Sequence, residues 1–211
     1  RPKEDAKSLF GRVASAFAAK PFKPHPAFKS GNAQTLAAWA WPRSYRLNRP
    51  EDDDRLFDVE PGVQVLAHCR WQDKRHEHPT VVMWHGMEGS ANGVYMIATA
   101  AKMFRAGFNV VRVNYRNCGG TEHLTPTLYH GGLSNDLQVV IKQLIETDGL
   151  KRIFVLGFSL GGNMVLKLAG EYGENAPPEV IAACVVSASV DLQASVELIM
   201  SRRNWLYHKQ F

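Results

Sequence analysis

Ser159 stands at the centre of Gly157-Phe158-Ser159-Leu160-Gly161. Residues 153–156 before it are a short β-branched and apolar run, the mark of a buried strand, and residues 164–169 after it are apolar and helix-forming. A serine on a tight strand-to-helix turn has its hydroxyl presented at a helix N-terminus, where it can attack an acyl carbonyl. Glycines at 157 and 161 would remove the side chains that such a turn drives into the strand and the helix. The other reading of the pentapeptide is an ordinary glycine-rich turn with an incidental serine. The flanking strand and helix favour the nucleophile.

Attack on a carbonyl carbon places negative charge on its oxygen, and preorganised donors must meet that charge. One donor expected here is the backbone N–H of Leu160, the residue after the nucleophile. The second should come from the loop after an earlier strand, and His85-Gly86-Met87-Glu88-Gly89-Ser90 occupies that place behind the apolar run 80–84. Gly86 permits close backbone approach, and Met87 supplies the second N–H. A plain chain reversal at Gly86 and Gly89 is the alternative. Both roles fall on backbone groups, so the side chains of Met87 and Leu160 are expected to line the acyl pocket.

A serine hydroxyl also needs a general base and a third group to orient that base. In the order serine, acid, histidine, both partners should follow Ser159. The one histidine there is His208, in a stretch that reads as the start of a helix. Asp191 follows a predicted strand over 180–187, yet the N-cap of a helix beginning near Leu192 accounts for it better. Asp191 and His208 are therefore weak candidates, and the true acid and base are expected beyond Phe211.

The elements that must position these groups follow from periodicity. Residues 1–20 form a basic amphipathic helix, with Leu9, Val13 and Phe17 recurring at helical spacing. Such a helix can lie on a membrane surface or dock on its own domain. Prolines at 21, 24 and 26 hold an extended arm, and the acidic stretch 50–54 reads as a solvated loop. Strands at 56–59 and 63–71 flank Pro61-Gly62 as an antiparallel hairpin. His68, His76 and His78 read as surface residues. From there strands at 80–84, 108–113, 153–156 and 180–187 alternate with helices at 95–104, 133–147 and 160–172. That alternation indicates a mostly parallel sheet covered on both faces.

Composition narrows the function. The chain has 211 residues, 45% hydrophobic and 21% charged, with a formal charge of +5. These values suit one globular domain with a real core. Lysines and arginines are scattered, so nucleic-acid binding is not indicated. Cys69, Cys118 and Cys184 are odd in number and lack metal-ligand spacing, so reduced thiols in the cytoplasm are expected, with no metal and no cofactor. No run reaches the roughly 18 apolar residues of a membrane span.

His85-Gly-Met-Glu-Gly-Ser90, Asn114-Tyr-Arg-Asn-Cys-Gly-Gly120, Leu128-Tyr-His-Gly-Gly-Leu133 with Asp136, and Gly157-Phe-Ser-Leu-Gly-Gly-Asn163 occur in one order along the chain, behind Gln34-Thr35. In these stretches the chain resembles the α/β-hydrolase superfamily, and within it the YheT-like group of ABHD-type esterases and lipases. Asn117 departs from the glycine usual at its position. The resemblance implies an α/β-hydrolase fold with an N-terminal antiparallel hairpin and Ser159 as nucleophile. It implies an acyl ester, of lipid or other origin, as substrate. It further implies three segments: a helix and proline-rich arm over 1–27, a partial core over 28–190 whose last strands are missing, and the start of a helical cap over 191–211. Acyl transfer to an alcohol shares the same acyl-enzyme, and an incomplete domain with only a binding role is the contrasting expectation. A cytoplasmic or membrane-associated location fits either.

Overall fold

The computed structural model describes residues 6–40, 53–205 and 209. The chain divides into two compact units, Arg1–Ser44 and Tyr45–Phe211. The first contains α1 (Ala6–Ala19) and α2 (Gly31–Ala40). Phe10, Phe17 and Phe22 are strongly exposed on it.

The second unit is built on β1 (Asp53–Glu60), β2 (Val63–Arg70), β3 (Thr80–Trp84), β4 (Asn109–Val113), β5 (Ile153–Phe158) and β6 (Val180–Val186). They form one sheet in the order β1-β2-β4-β3-β5-β6. β1 pairs antiparallel with β2, and β2 with β4; the remaining pairs are parallel. This is the expected α/β fold with its N-terminal hairpin. Between the strands run α3 (Val94–Arg105), α4 (Ser134–Glu146) and α5 (Leu160–Tyr172), with α6 (Leu192–Met200) after β6.

Strand side chains alternate between faces, and the core divides accordingly. On one face Val82, Trp84, Val111 and Val155 pack with Leu137, Ile141 and Leu144 of α4 and Met164 and Leu168 of α5. On the other, Val81, Met83, Val110 and Leu156 meet Met96 and Ala100 of α3. Strands β3 and β4 are buried throughout. They lie inside the sheet with a helix layer on each side, which is why both read as unbroken apolar runs.

Three expectations need correction. Asp53 and Asp54, read as part of a solvated loop, are strand residues opposite Cys69 and His68; residues 50–52 of that stretch lie outside the described residues. The cross-strand register brings the Asp54 carboxylate within 2.5 Å of His68 Nδ1, so the hairpin continues through charge where hydropathy stops. His68 is not a free surface residue, since it also lies 3.3 Å from Asn92 Nδ2. Neither is His78, whose Nδ1 is 2.8 Å from the Gly107 carbonyl. Finally, β6 is not covered on both faces: Ile181 and Val186 are 51% and 42% exposed. Among the described residues it pairs with β5 alone.

Candidate active site

The chain leaves β5 through Ser159, whose φ is 51° and ψ −116°. A non-glycine residue there is strained and persists only where its surroundings hold it. They do so by close packing. A Cβ added to Gly157 would run into the Gly161 carbonyl, and one on Gly161 would stand 2.5 Å from the His85 oxygen and 2.7 Å from that of Trp84. Gly162, a third small residue of the turn, would strike Ala188. Ser159 N–H donates to the Val186 carbonyl at 2.8 Å, and the Ser159 carbonyl accepts the first helical bond of α5 from Asn163 at 3.1 Å. The Ser159 side chain is exposed.

Leu160 opens α5, so its N–H has no acceptor inside the helix. The loop after β3 passes beside it: a Cβ on Gly86 would come 3.2 Å from that of Ser159. Gly89 N–H donates to the Gly86 carbonyl at 3.1 Å, closing a turn in which Glu88 has φ 53°. The structure thus brings Ser159, Leu160, Gly157, Gly161 and Met87 together.

Beneath the loop lies His85, fully buried. Its Nε2 is 3.2 Å from Tyr115 N–H, an obligatory donor. Nε2 therefore accepts, and Nδ1 carries the proton and donates to the Gly86 carbonyl at 2.6 Å. Burial lowers the pKa of this imidazole to about 4, against a smaller opposite effect of the bond to Gly86, so it is neutral at physiological pH. The Gly86 carbonyl and the Met87 N–H share one planar trans peptide and point in opposite directions. Two donors on that oxygen consequently fix the direction of the Met87 N–H. Sequence reading placed His85 within the loop motif without a task of its own, because a buried partner thirty residues away leaves no local signal.

A cavity of about 440 Å³ opens over Ser159, lined mainly by apolar groups of Met87, Tyr95, Phe158, Leu160, Val186 and α6. A second, of about 640 Å³, lies on the other side of Met87 and Leu160 and is walled by Glu88, Asn117, Glu122, Tyr129 and His130 among others. Among the described residues no side chain hydrogen-bonds to Ser159 Oγ. Asp191 Oδ1 accepts the Ala194 N–H at 2.9 Å, so it is the N-cap of α6, and His208 lies outside the described residues. Nor do three His, Cys, Asp or Glu side chains converge as metal ligands would among the described residues.

Around the site a buried ion pair ties the loops together. Arg116 Nε and Nη2 donate to the two oxygens of Asp136 on α4 at 2.7 and 2.6 Å, and Nη2 reaches Glu60 at the end of β1 at 2.8 Å. Burial pulls the Asp136 carboxyl upward, while the fork of the guanidinium opposes it. Arg116 itself is held more firmly charged by Asp136. The bidentate geometry favours the ionised form of both partners.

Comparison with known proteins agrees with this architecture. The family model for the α/β-hydrolase fold matches residues 79–211. The putative esterase YheT of Escherichia coli is 33% identical over 116 residues, 55% of this chain and 34% of that protein. Human phospholipase ABHD3 is 27% identical over 128 residues, 61% of this chain and 31% of that one. The chain thus matches about a third of the length of these curated relatives. Among solved structures, an esterase of Pyrococcus furiosus superposes with a TM-score of 0.60 at 22% identity, over 79% of this chain and 65% of the other. The chain belongs to the α/β-hydrolase fold family.

Proposed function

We propose that the protein is a carboxylic ester hydrolase in which Ser159 forms the acyl-enzyme. The observation that carries this is the strained backbone of Ser159, at φ 51° between glycines that tolerate no side chain. Ser159 Oγ attacks the ester carbonyl, its proton passes to a general base, and the carbonyl oxygen becomes an oxyanion received by the N–H groups of Met87 and Leu160. Collapse of that intermediate expels the alcohol and leaves the acyl group on Oγ. Water then attacks the acyl-enzyme and releases the acid. The apolar cavity under α6 accepts the acyl chain, which favours esters of fatty acids over those of small polar acids.

A fluorophosphonate probe tests the reading, because it phosphonylates only an activated serine. Labelling of the protein that disappears in Ser159→Ala supports the assignment, and labelling that survives the substitution removes it. Interception of the same acyl-enzyme by an alcohol would give acyl transfer, and product analysis in the presence of glycerol separates the two outcomes.

The N-terminal unit suits peripheral contact with an anionic membrane. Residues 1–44 hold eight Lys or Arg against two acids, while the whole chain carries +5. Phe10 and Phe17 on α1 are each 75% exposed. Such a helix binds by apolar insertion aided by lipid charge. Flotation with phosphatidylserine vesicles, compared with phosphatidylcholine alone, decides the point: equal recovery from both removes the charge-assisted mode. Among the described residues no helix is long and apolar enough to cross a membrane.

A further inference from the structure

Gly86, Met87 and Glu88 supply three successive amides in the loop whose Gly86 approaches Ser159. Gly86 N–H donates to the Tyr95 hydroxyl at 2.8 Å, and Glu88 N–H donates to the Tyr129 hydroxyl at 2.7 Å. The Met87 N–H between them makes no hydrogen bond among the described residues. We propose that Tyr95 and Tyr129 are positioning residues, two hydroxyl clamps that occupy the flanking amides and so leave the Met87 N–H as the one donor this loop offers to an oxyanion. The proposal rests on the reading of Ser159 as nucleophile.

Loop chemistry explains the need for clamps. The segment has glycine at 86 and 89 and a strained positive φ at Glu88, so the peptide planes on either side of the Gly86–Met87 plane need contacts of their own to hold them. An amide that loses its phenol acceptor turns toward another acceptor or toward water, and its peptide plane is then no longer fixed. Each clamp is in turn held from a different side. Tyr95, on α3, packs edge-on against Phe158, the neighbour of Ser159, with ring centroids 4.9 Å apart. Tyr129 stacks on Tyr115 at 5.1 Å with an interplanar angle of 7°, and Tyr115 meets the His85 ring at 4.5 Å. Tyr95 lines the cavity over Ser159 and Tyr129 the second one, and Met87 and Leu160 line both. The loop is therefore gripped from both cavities.

An oxyanion donor acts in the transition state more than in the ground state, so loosening it lowers kcat and leaves KM nearly unchanged. Tyr→Phe removes one oxygen and preserves both ring contacts. Tyr95→Phe and Tyr129→Phe are each expected to slow fluorophosphonate labelling, and kcat on a short p-nitrophenyl ester, by about tenfold. The double variant should lose about a hundredfold, at the lower edge of the ~10²–10³ seen when one oxyanion donor is removed. Tyr172→Phe is the control, because Tyr172 closes the far end of α5 and lines neither cavity beside Ser159; its rate should stay at the wild-type level. Hydrogen exchange at the Gly86 and Glu88 amides should quicken in the matching variants. Absence of labelling in the wild-type protein overturns the nucleophile reading and the clamps together. Full-rate labelling of the double variant, a KM increase with kcat preserved, or an equal loss in Tyr172→Phe overturns the clamps alone.

Discussion

Gly161, the second residue of α5, lies against the backbone of His85, the residue that follows β3. A methyl group on its Cα would stand 2.5 Å from the His85 carbonyl oxygen and 2.9 Å from the Tyr115 hydroxyl. This contact sets how near the serine turn comes to the loop that carries Met87. Gly161→Ala must push β3 and α5 apart, and overpacking of this kind costs about 1–3 kcal/mol. We expect a lower melting temperature and loss of most Ser159 labelling, measured by calorimetry and probe fluorescence on the same preparation. A variant that labels at the wild-type rate would show that the spacing is not needed.

Ser159 itself carries strain that glycine would not. At φ 51° and ψ −116° a side chain costs about 1–3 kcal/mol, so Ser159→Gly should raise stability by about 1–2 kcal/mol in urea unfolding while removing all labelling. Ser159→Ala keeps its Cβ and should remove labelling without that gain.

His85 couples stability to pH. Its pKa is about 4 in the fold against about 6.5 unfolded. Above pH 6.5 it is neutral in both states and its contribution is fully present. As pH falls below that value the unfolded chain takes up the proton first, and stability declines until the folded imidazole also titrates near pH 4. The loss attributable to this residue is roughly 3 kcal/mol. Urea unfolding at stepped pH checks it: His85→Gln should flatten this part of the profile, and an unchanged slope would assign it to other groups.

Arg116 and Asp136 are almost wholly buried. Removing one partner strands the other charge, so Asp136→Asn and Arg116→Met should each cost about 3–5 kcal/mol, and the double variant less than their sum. Full additivity in a double-mutant cycle of unfolding free energies would mean that the pair does not act as a unit.

The sequence by itself determined the strand-and-helix order, the mostly parallel sheet with its leading hairpin, and the grouping of Ser159 with Met87, Leu160, Gly157 and Gly161. Each of these leaves a local trace: apolar runs make buried strands, and glycines stand where a turn admits no side chain. The family grouping was legible for the same reason, since it rests on short stretches in fixed order. Tertiary structure alone decided the rest. The tautomer of His85 depends on Tyr115 N–H, thirty residues downstream. The Asp53–Asp54 strand exists because of the register with β2. Tyr95 and Tyr129 reach Gly86 and Glu88 across separations of 9 and 41 residues. Hydrogen bonds between distant residues have no periodicity and no spacing rule, so only the folded chain can bring a phenol oxygen to the amide it holds.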